Sequence, residues 1–185
     1  MRSHFFRVAL VFIVLASAAA AQGSRVSRIA YTVEGKIPVP DYSKWVFIGS
    51  GAFEAAETAP APRFSNVFVA PGVFDEFVRT GAWPDQTVIF SEKRAGATTV
   101  PITKNPGWGQ TGEALGFEFE VKDVSKGGWR YYTAKAGEQA GTAVTNQADC
   151  TTCHSQHGAV DSTFVQFYPS LIAAAQRHGT YKLTQ

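Results

Sequence analysis

The chain has 185 residues, 45% of them hydrophobic and 17% charged. That length suits one domain, and an apolar share near half excludes a disordered chain, which buries too little surface to offset its lost entropy. The 17 Gly and 9 Pro follow no period, so collagen-like and low-complexity readings fail, and 2 Cys are too few for a disulfide-built miniprotein.

Residues 1–21 read as a secretory signal. Arg2 and Arg7 give a positive start, Val8 to Ala16 is an unbroken apolar run, and Ala18 to Ala21 offers small residues for cleavage. The run is short for a lasting membrane anchor, the alternative reading. The expectation is a mature chain from Gln22, a single domain over 22–185, exported to the periplasm without a stable anchor. Removing the signal takes 2 of the 17 Lys+Arg and no acid, leaving 15 against 15. No basic run then remains to track phosphates, which argues against nucleic-acid binding. Met1 and His4 leave too, so the mature chain has no methionine and keeps His154, His157 and His178.

The segment from Gln22 to Ser43 reads as a polar entry arm. Trp45 to Ile48 is a short strand or helix end closed by Gly49-Ser50-Gly51, and Ala52 to Pro62 a loop. Phe64 to Val69 is rich in β-branched and aromatic residues and reads as a strand. In Val73 to Thr80 the apolar Val73, Phe74, Phe77 and Val78 share a helical face, with Gly81 placed to end it. Trp83 to Gln86 is a turn, Thr87 to Glu92 a strand, and Lys93 to Gly112 a long loop. Leu115 to Val121 alternates apolar and acidic as a half-buried strand does, and Lys126-Gly127-Gly128 turns it into a hairpin with Trp129 to Thr133. Gly137 to Asp149 reads as a small-residue linker, Cys150 to His157 as a short helix, and Ser162 to Tyr168 with Leu171 to His178 as a helical C-terminus. An antiparallel sheet followed by helices makes the fold class α+β.

Cys150-Thr151-Thr152-Cys153-His154 is CxxCH, the attachment motif of a c-type haem. Two thiols three residues apart reach two vinyl groups on one porphyrin edge, and the next residue supplies the axial imidazole. The expectation is one covalently bound haem c per chain, held by Cys150 and Cys153, with His154 on the iron. A disulfide across so small a loop stabilises little, a thioredoxin-like pair wants a preceding βαβ unit, and a zinc site needs adjacent Cys153 and His154 to converge on one ion. Opposite His154, methionine is excluded by counting. His157 lies three residues past His154 on the same side, while His178 reads better as a solvated helix end than as a ligand. Lysine or tyrosine ligation stays open. The simplest inference is an iron with one open face, which binds small ligands such as NO, CO, O₂, a nitrogen oxide or hydroxylamine.

The chain resembles the cytochrome P-460 family, which includes the β-sheet cytochromes c′. The resemblance rests on PDYSKWVFIGS, NVFVAPGVFDEFVRTGAWPDQTVIFSE, LGFEFEVKD, GGWRYYTA and CTTCHSQHGAVDSTFVQFYPSL, the last being the most specific. It implies a periplasmic, mostly antiparallel β protein, often a homodimer, with His154 as sole protein ligand to one haem. Members that oxidise hydroxylamine carry a lysine cross-linked to the macrocycle, in a strand that matches Thr87 to Glu92. Ser91 stands at the lysine position, and Lys93 keeps the parity only if the strand continues. The resemblance thus favours the branch without the cross-link. Ile89 and Thr87 would share a face with Ser91. Phe53, Phe64 and Phe68 are candidates for the far side of the haem, against ordinary places in the sheet core. Glu118 matches an acidic family position, although its alternation with Phe117 and Phe119 equally suits a solvent face. Trp129 and Tyr168 are candidates for the haem edge. Three functions follow: a cytochrome binding NO or a related gas, an oxidoreductase acting on hydroxylamine or NO, and a six-coordinate electron carrier with a redox partner protein.

Overall fold

A computed structural model describes residues 25–53, 62–97 and 109–182; the expected signal segment and most of the Ala52 to Pro62 loop lie outside the described residues. Among the described residues, seven strands form one antiparallel sheet: β1 (Ile37–Pro38), β2 (Val46–Phe53), β3 (Arg63–Val69), β4 (Val88–Ala97), β5 (Gly109–Asp123), β6 (Gly128–Lys135) and β7 (Ala140–Ala143). Their order is β1-β7-β6-β5-β4-β3-β2, a meander with the short β1 added at the β7 edge. Three α-helices accompany it: α1 (Pro71–Thr80), α2 (Gln147–His157) and α3 (Pro169–Arg177). The α+β expectation holds. No helix among the described residues is long and apolar enough to cross a membrane.

Strand alternation divides the sheet into two faces. On one, Phe90, Phe119, Val121 and Tyr132 are buried under Ile37 and the arm residues Tyr31, Tyr42 and Trp45. On the other, Ile48, Val69 and Ile89 meet Val73 and Phe77 of α1, Leu171, Ala174 and Ala175 of α3, and Val165 and Tyr168 between α2 and α3. Phe77 and Trp83, both buried, lie 4.3 Å apart between ring centroids. Burying a side chain of that size stabilises the fold by about 1.5–3 kcal/mol.

Helix α1 starts at Pro71, whose missing N–H costs nothing in a first turn, and ends at Gly81 (φ 71). A Cβ at Gly81 would lie 2.5 Å from the His178 side chain, so the ends of α1 and α3 meet there. His178 is therefore the exposed C-cap of α3 against Gly81.

Several boundaries differ from the sequence reading. Strand β2 runs through Gly49 and Gly51 rather than stopping at them. A Cβ at Gly49 would sit 2.7 Å from the Phe167 carbonyl, so glycine is what lets the C-terminal segment cross this strand. Strand β4 continues to Ala97 and β5 begins at Gly109, so both ends of the supposed loop over Lys93 to Gly112 are paired. Strand β7 lies inside the supposed linker, and α2 begins at Gln147. Within Ser162 to Tyr168, only Val165–Phe167 forms a helical turn.

Candidate functional site

The CxxCH segment forms the middle of α2. Gln147 fixes the start of that helix: its Nε2 donates to the carbonyls of Tyr131 (2.7 Å) and Val144 (3.0 Å), and its Oε1 accepts from the Tyr131 N–H (2.9 Å). The helix is thereby tied to β6. Positions 150, 153 and 154 follow helical i, i+3, i+4 spacing, so both thiols and the imidazole lie on neighbouring parts of one surface. Cys150 and Cys153 are free thiols, and burial pushes the Cys150 thiol up from its ordinary value.

None of the eleven residues of α2 is buried. A helix this short has little stability of its own and normally gains it by burying an apolar face.

His154 is the most enclosed side chain on this surface. Its ring lies 4.7 Å from Tyr131 and 4.4 Å from Phe164 between centroids. Its Nδ1 is 3.0 Å from the Ser162 carbonyl, which only accepts, so Nδ1 carries the hydrogen and Nε2 keeps its lone pair. Burial holds the imidazole pKa below the ordinary value and favours the neutral form. Glu120 Oε2 lies 3.6 Å from the same Nδ1, beyond hydrogen-bond range, and has no hydrogen-bond partner. Burial, reinforced by nearby Glu118, pushes the Glu120 carboxyl up to about 8.

The Ser162 carbonyl reaches the ring because residues 158–163 fold back sharply. The Gly158 N–H donates to the His154 carbonyl (2.9 Å), and Asp161 (φ 47) and Ser162 (φ 60) then follow in the left-handed region. Each such non-glycine residue costs on the order of 1–3 kcal/mol and persists only where its surroundings enforce it.

The sheet face beside His154 carries several of the residues singled out above. Directly opposed residues of antiparallel strands share a face. Ser91 opposes Glu118 and Val67, Lys93 opposes Ser65, and Glu120 opposes Ile89 and Tyr131, so all are on the His154 side. Because β4 continues, Lys93 does keep the parity of Ser91. Its Nζ pairs with Glu118 Oε2 at 2.9 Å, donates to Ser65 Oγ at 3.1 Å and lies 5.1 Å from the Phe53 ring centroid. The Ser65 and Ser91 hydroxyls hydrogen-bond to each other. Glu118 is thus on this face as half of an ion pair, with Phe117 and Phe119 on the other.

Other candidates go elsewhere. Phe68 opposes Phe90 and packs on Tyr42 and Phe47, and Phe64 has the same parity, so both belong to the opposite face. Ile89 is on the expected face but is buried under the helices, as is Tyr168. The Thr87 hydroxyl donates to the Pro84 carbonyl (2.8 Å), and Trp129 packs against the helix-side core. His157 is exposed.

Glu120, Tyr131, Ser162 and Phe164 were not singled out from the sequence, although FEFE already puts Glu118 and Glu120 on one face. Tyr131 comes from β6, whose approach to α2 is non-local, while Ser162 and Phe164 come from the turn just after α2, whose fold-back no local periodicity announces.

These residues fit a covalently attached haem. Two free thiols and an imidazole of fixed tautomer occupy one helix surface, and that helix has an uncovered side a porphyrin would bury. Among the described residues there is no cluster of three or more His, Cys, Asp or Glu that could hold a bare metal ion. No curated protein gives a significant match to the chain. The family model described as cytochrome P-460 matches residues 39–165, which spans β2 to β7, the CxxCH helix and the turn that holds its imidazole. With that extent of agreement, the chain belongs to the cytochrome P-460 family and is a haem-binding cytochrome.

Proposed function

We propose that the mature protein is an exported, periplasmic c-type cytochrome with one haem. Cys150 and Cys153 form the thioethers, and His154 is the only side chain on the iron. It binds NO or a related nitrogen-oxide ligand, with electron exchange through a redox partner protein. The observation that carries this reading is His154, whose Nδ1–H is committed to the Ser162 carbonyl on the very helix that bears both thiols. A neutral, oriented imidazole is what axial ligation needs. When bound, the haem supplies an iron that takes up small ligands and changes oxidation state. The chain's own residues hold and orient it: α2 presents the thiols, Tyr131 and Phe164 fix the imidazole plane, and the sheet face supplies the polar group around Lys93. The sequence after Ala21 has no methionine to fill the other coordination position.

A second reading has a specific observation behind it. Lys93 places a primary amine on the His154 side of the sheet, one alternation from Ser91. That position favours an oxidoreductase acting on hydroxylamine or NO, in which Lys93 makes the macrocycle bond that Ser91, at the family's lysine position, cannot make. His178, exposed at the end of α3, offers no comparable support for a six-coordinate carrier.

An absorption spectrum of the purified protein separates the readings. A high-spin ferrous spectrum that changes on adding NO or CO is expected, and it should be lost in His154→Ala. A ferrous band far to the red would transfer the assignment to the cross-linked oxidoreductase. A low-spin six-coordinate spectrum, or a colourless protein, would overturn ligand binding at an open iron.

A further inference from the structure

The turn after α2 is held from both sides of the residue that meets the imidazole. On one side, Asp161 Oδ2 accepts from Lys122 Nζ at 2.7 Å, and the same ammonium donates to the Trp83 carbonyl at 2.7 Å. On the other, Thr163 Oγ1 accepts from Trp83 Nε1 at 2.7 Å and donates to the Val160 carbonyl at 2.7 Å. Val160 and Thr163 also exchange backbone hydrogen bonds across the turn, at 3.3 and 2.8 Å. Trp83 and Thr163 are buried, and the Lys122 side chain is only 19% exposed. Ser162 thus sits between two anchored neighbours, and both anchors lead to Trp83 and β5, outside the haem-bearing helix. The Ser162 side chain takes no part, since its contribution to the ring is the backbone carbonyl.

We infer that Asp161 and Lys122, with Thr163 and Trp83, are positioning residues for the axial imidazole: they hold the Ser162 carbonyl at His154 Nδ1 and thereby set how electron-rich the iron-facing nitrogen is. A firm acceptor on Nδ1–H gives the ring more imidazolate character, which strengthens its bond to iron and favours the ferric state. A loosened turn does the reverse. The ion pair does not touch the imidazole; it acts through one backbone carbonyl, beside the Glu120 carboxyl that lies 3.6 Å from the same Nδ1. The inference rests on His154 being the haem ligand.

The test uses the purified holoprotein with Asp161→Asn, Lys122→Met and Lys122→Arg. Asparagine tolerates the left-handed backbone at position 161, so the first variant keeps the turn while removing the charge. Two readouts are taken, the iron–imidazole stretching frequency of the ferrous form and the reduction potential. The expected result for Asp161→Asn and Lys122→Met is a lower stretching frequency. With it comes a shift of up to about tenfold toward the ferrous form at fixed ambient potential, which is 59 mV for one electron. Lys122→Arg should stay near wild type. Unchanged frequency and potential in both charge-removing variants would overturn the inference. So would loss of the haem or the fold in all three, which would assign the pair to folding alone. A wild-type protein that lacks the iron–imidazole band altogether would instead refute the ligand assignment beneath it.

Discussion

Replacing Gly158 by alanine tests the geometry of the axial imidazole with one methyl group. A Cβ at this position would lie 2.6 Å from each of three backbone atoms, the His154 oxygen, the Ser162 carbonyl carbon and the Thr163 nitrogen. Ordinary contact begins near 3.4 Å, so the turn must open by about 0.8 Å (3.4 less 2.6), and no flexible side chain can absorb it. If Ser162 moves by that amount, its carbonyl goes from 3.0 Å to about 3.8 Å from His154 Nδ1, outside hydrogen-bond range. Overpacking costs about 1–3 kcal/mol and the lost hydrogen bond about 1 kcal/mol, giving roughly 2–4 kcal/mol. In a domain of this size each kcal/mol lowers Tm by about 2–4 °C. The assay is urea unfolding of the haem-loaded variant beside wild type, with the iron–imidazole stretch recorded on the same samples. A variant within about 0.5 kcal/mol of wild type, with an unshifted stretch, would refute the claim that the turn is this tightly packed.

Three further outcomes follow from groups that do not touch the imidazole. Arg94→Met should cost about 3–5 kcal/mol in urea unfolding. The reason is that Glu92, only 3% exposed, loses the two bonds at 2.8 Å from the guanidinium; a loss under about 1 kcal/mol would refute it. Glu92 and Asp123 give the protein an acid limb. For Glu92, burial works upward, but the bonds from Arg94 and Tyr42 win and hold the carboxyl below 4.5, while bonds from Ser125 hold Asp123 below 3.8. Stability from both is full above those ordinary values and is lost as pH falls through the lower folded ones. Unfolding free energy should therefore rise with pH across that acidic window, by at most about 1.4 kcal/mol per unit for each group. A flat profile there would contradict the shifts. Gln147→Ala removes the three bonds that tie α2 to β6 and should cost about 1–3 kcal/mol, read by thermal unfolding and by faster amide exchange at the start of α2. Exchange as slow as in wild type would mean the helix is anchored elsewhere.

The sequence disclosed local periodicity well and long-range contact poorly. The alternation of Phe117, Glu118 and Phe119 and the helical spacing of Val73 to Val78 are short-range patterns, and both elements stand where those patterns put them. Gly49 and Gly51 look like breakers in isolation, yet β2 runs through them because the Phe167 backbone crosses close to Gly49. Lys93 and Arg94 look like a solvated loop, yet each has a carboxylate partner, Glu118 and Glu92, on opposite faces of a continuing strand. CxxCH was legible as a motif because covalent chemistry dictates its spacing. The polar shell behind His154 was not, because Glu120 reaches it from another strand and Lys122 meets Asp161 across 39 residues of sequence. Phe64 and Phe68 were misplaced for a related reason: alternation groups them together, but only pairing with β4 says which side of the sheet they take.

Helix α2 has a bearing on how the protein is made. The sheet and its two flanking clusters are complete without it, and α2 contributes no buried residue to either. Under the thioether attachment proposed above, the segment that an attachment enzyme must grip is a helix with no buried residue, tied to the sheet through Gln147. The thiols at positions 150 and 153 would then be reached without dismantling either hydrophobic cluster.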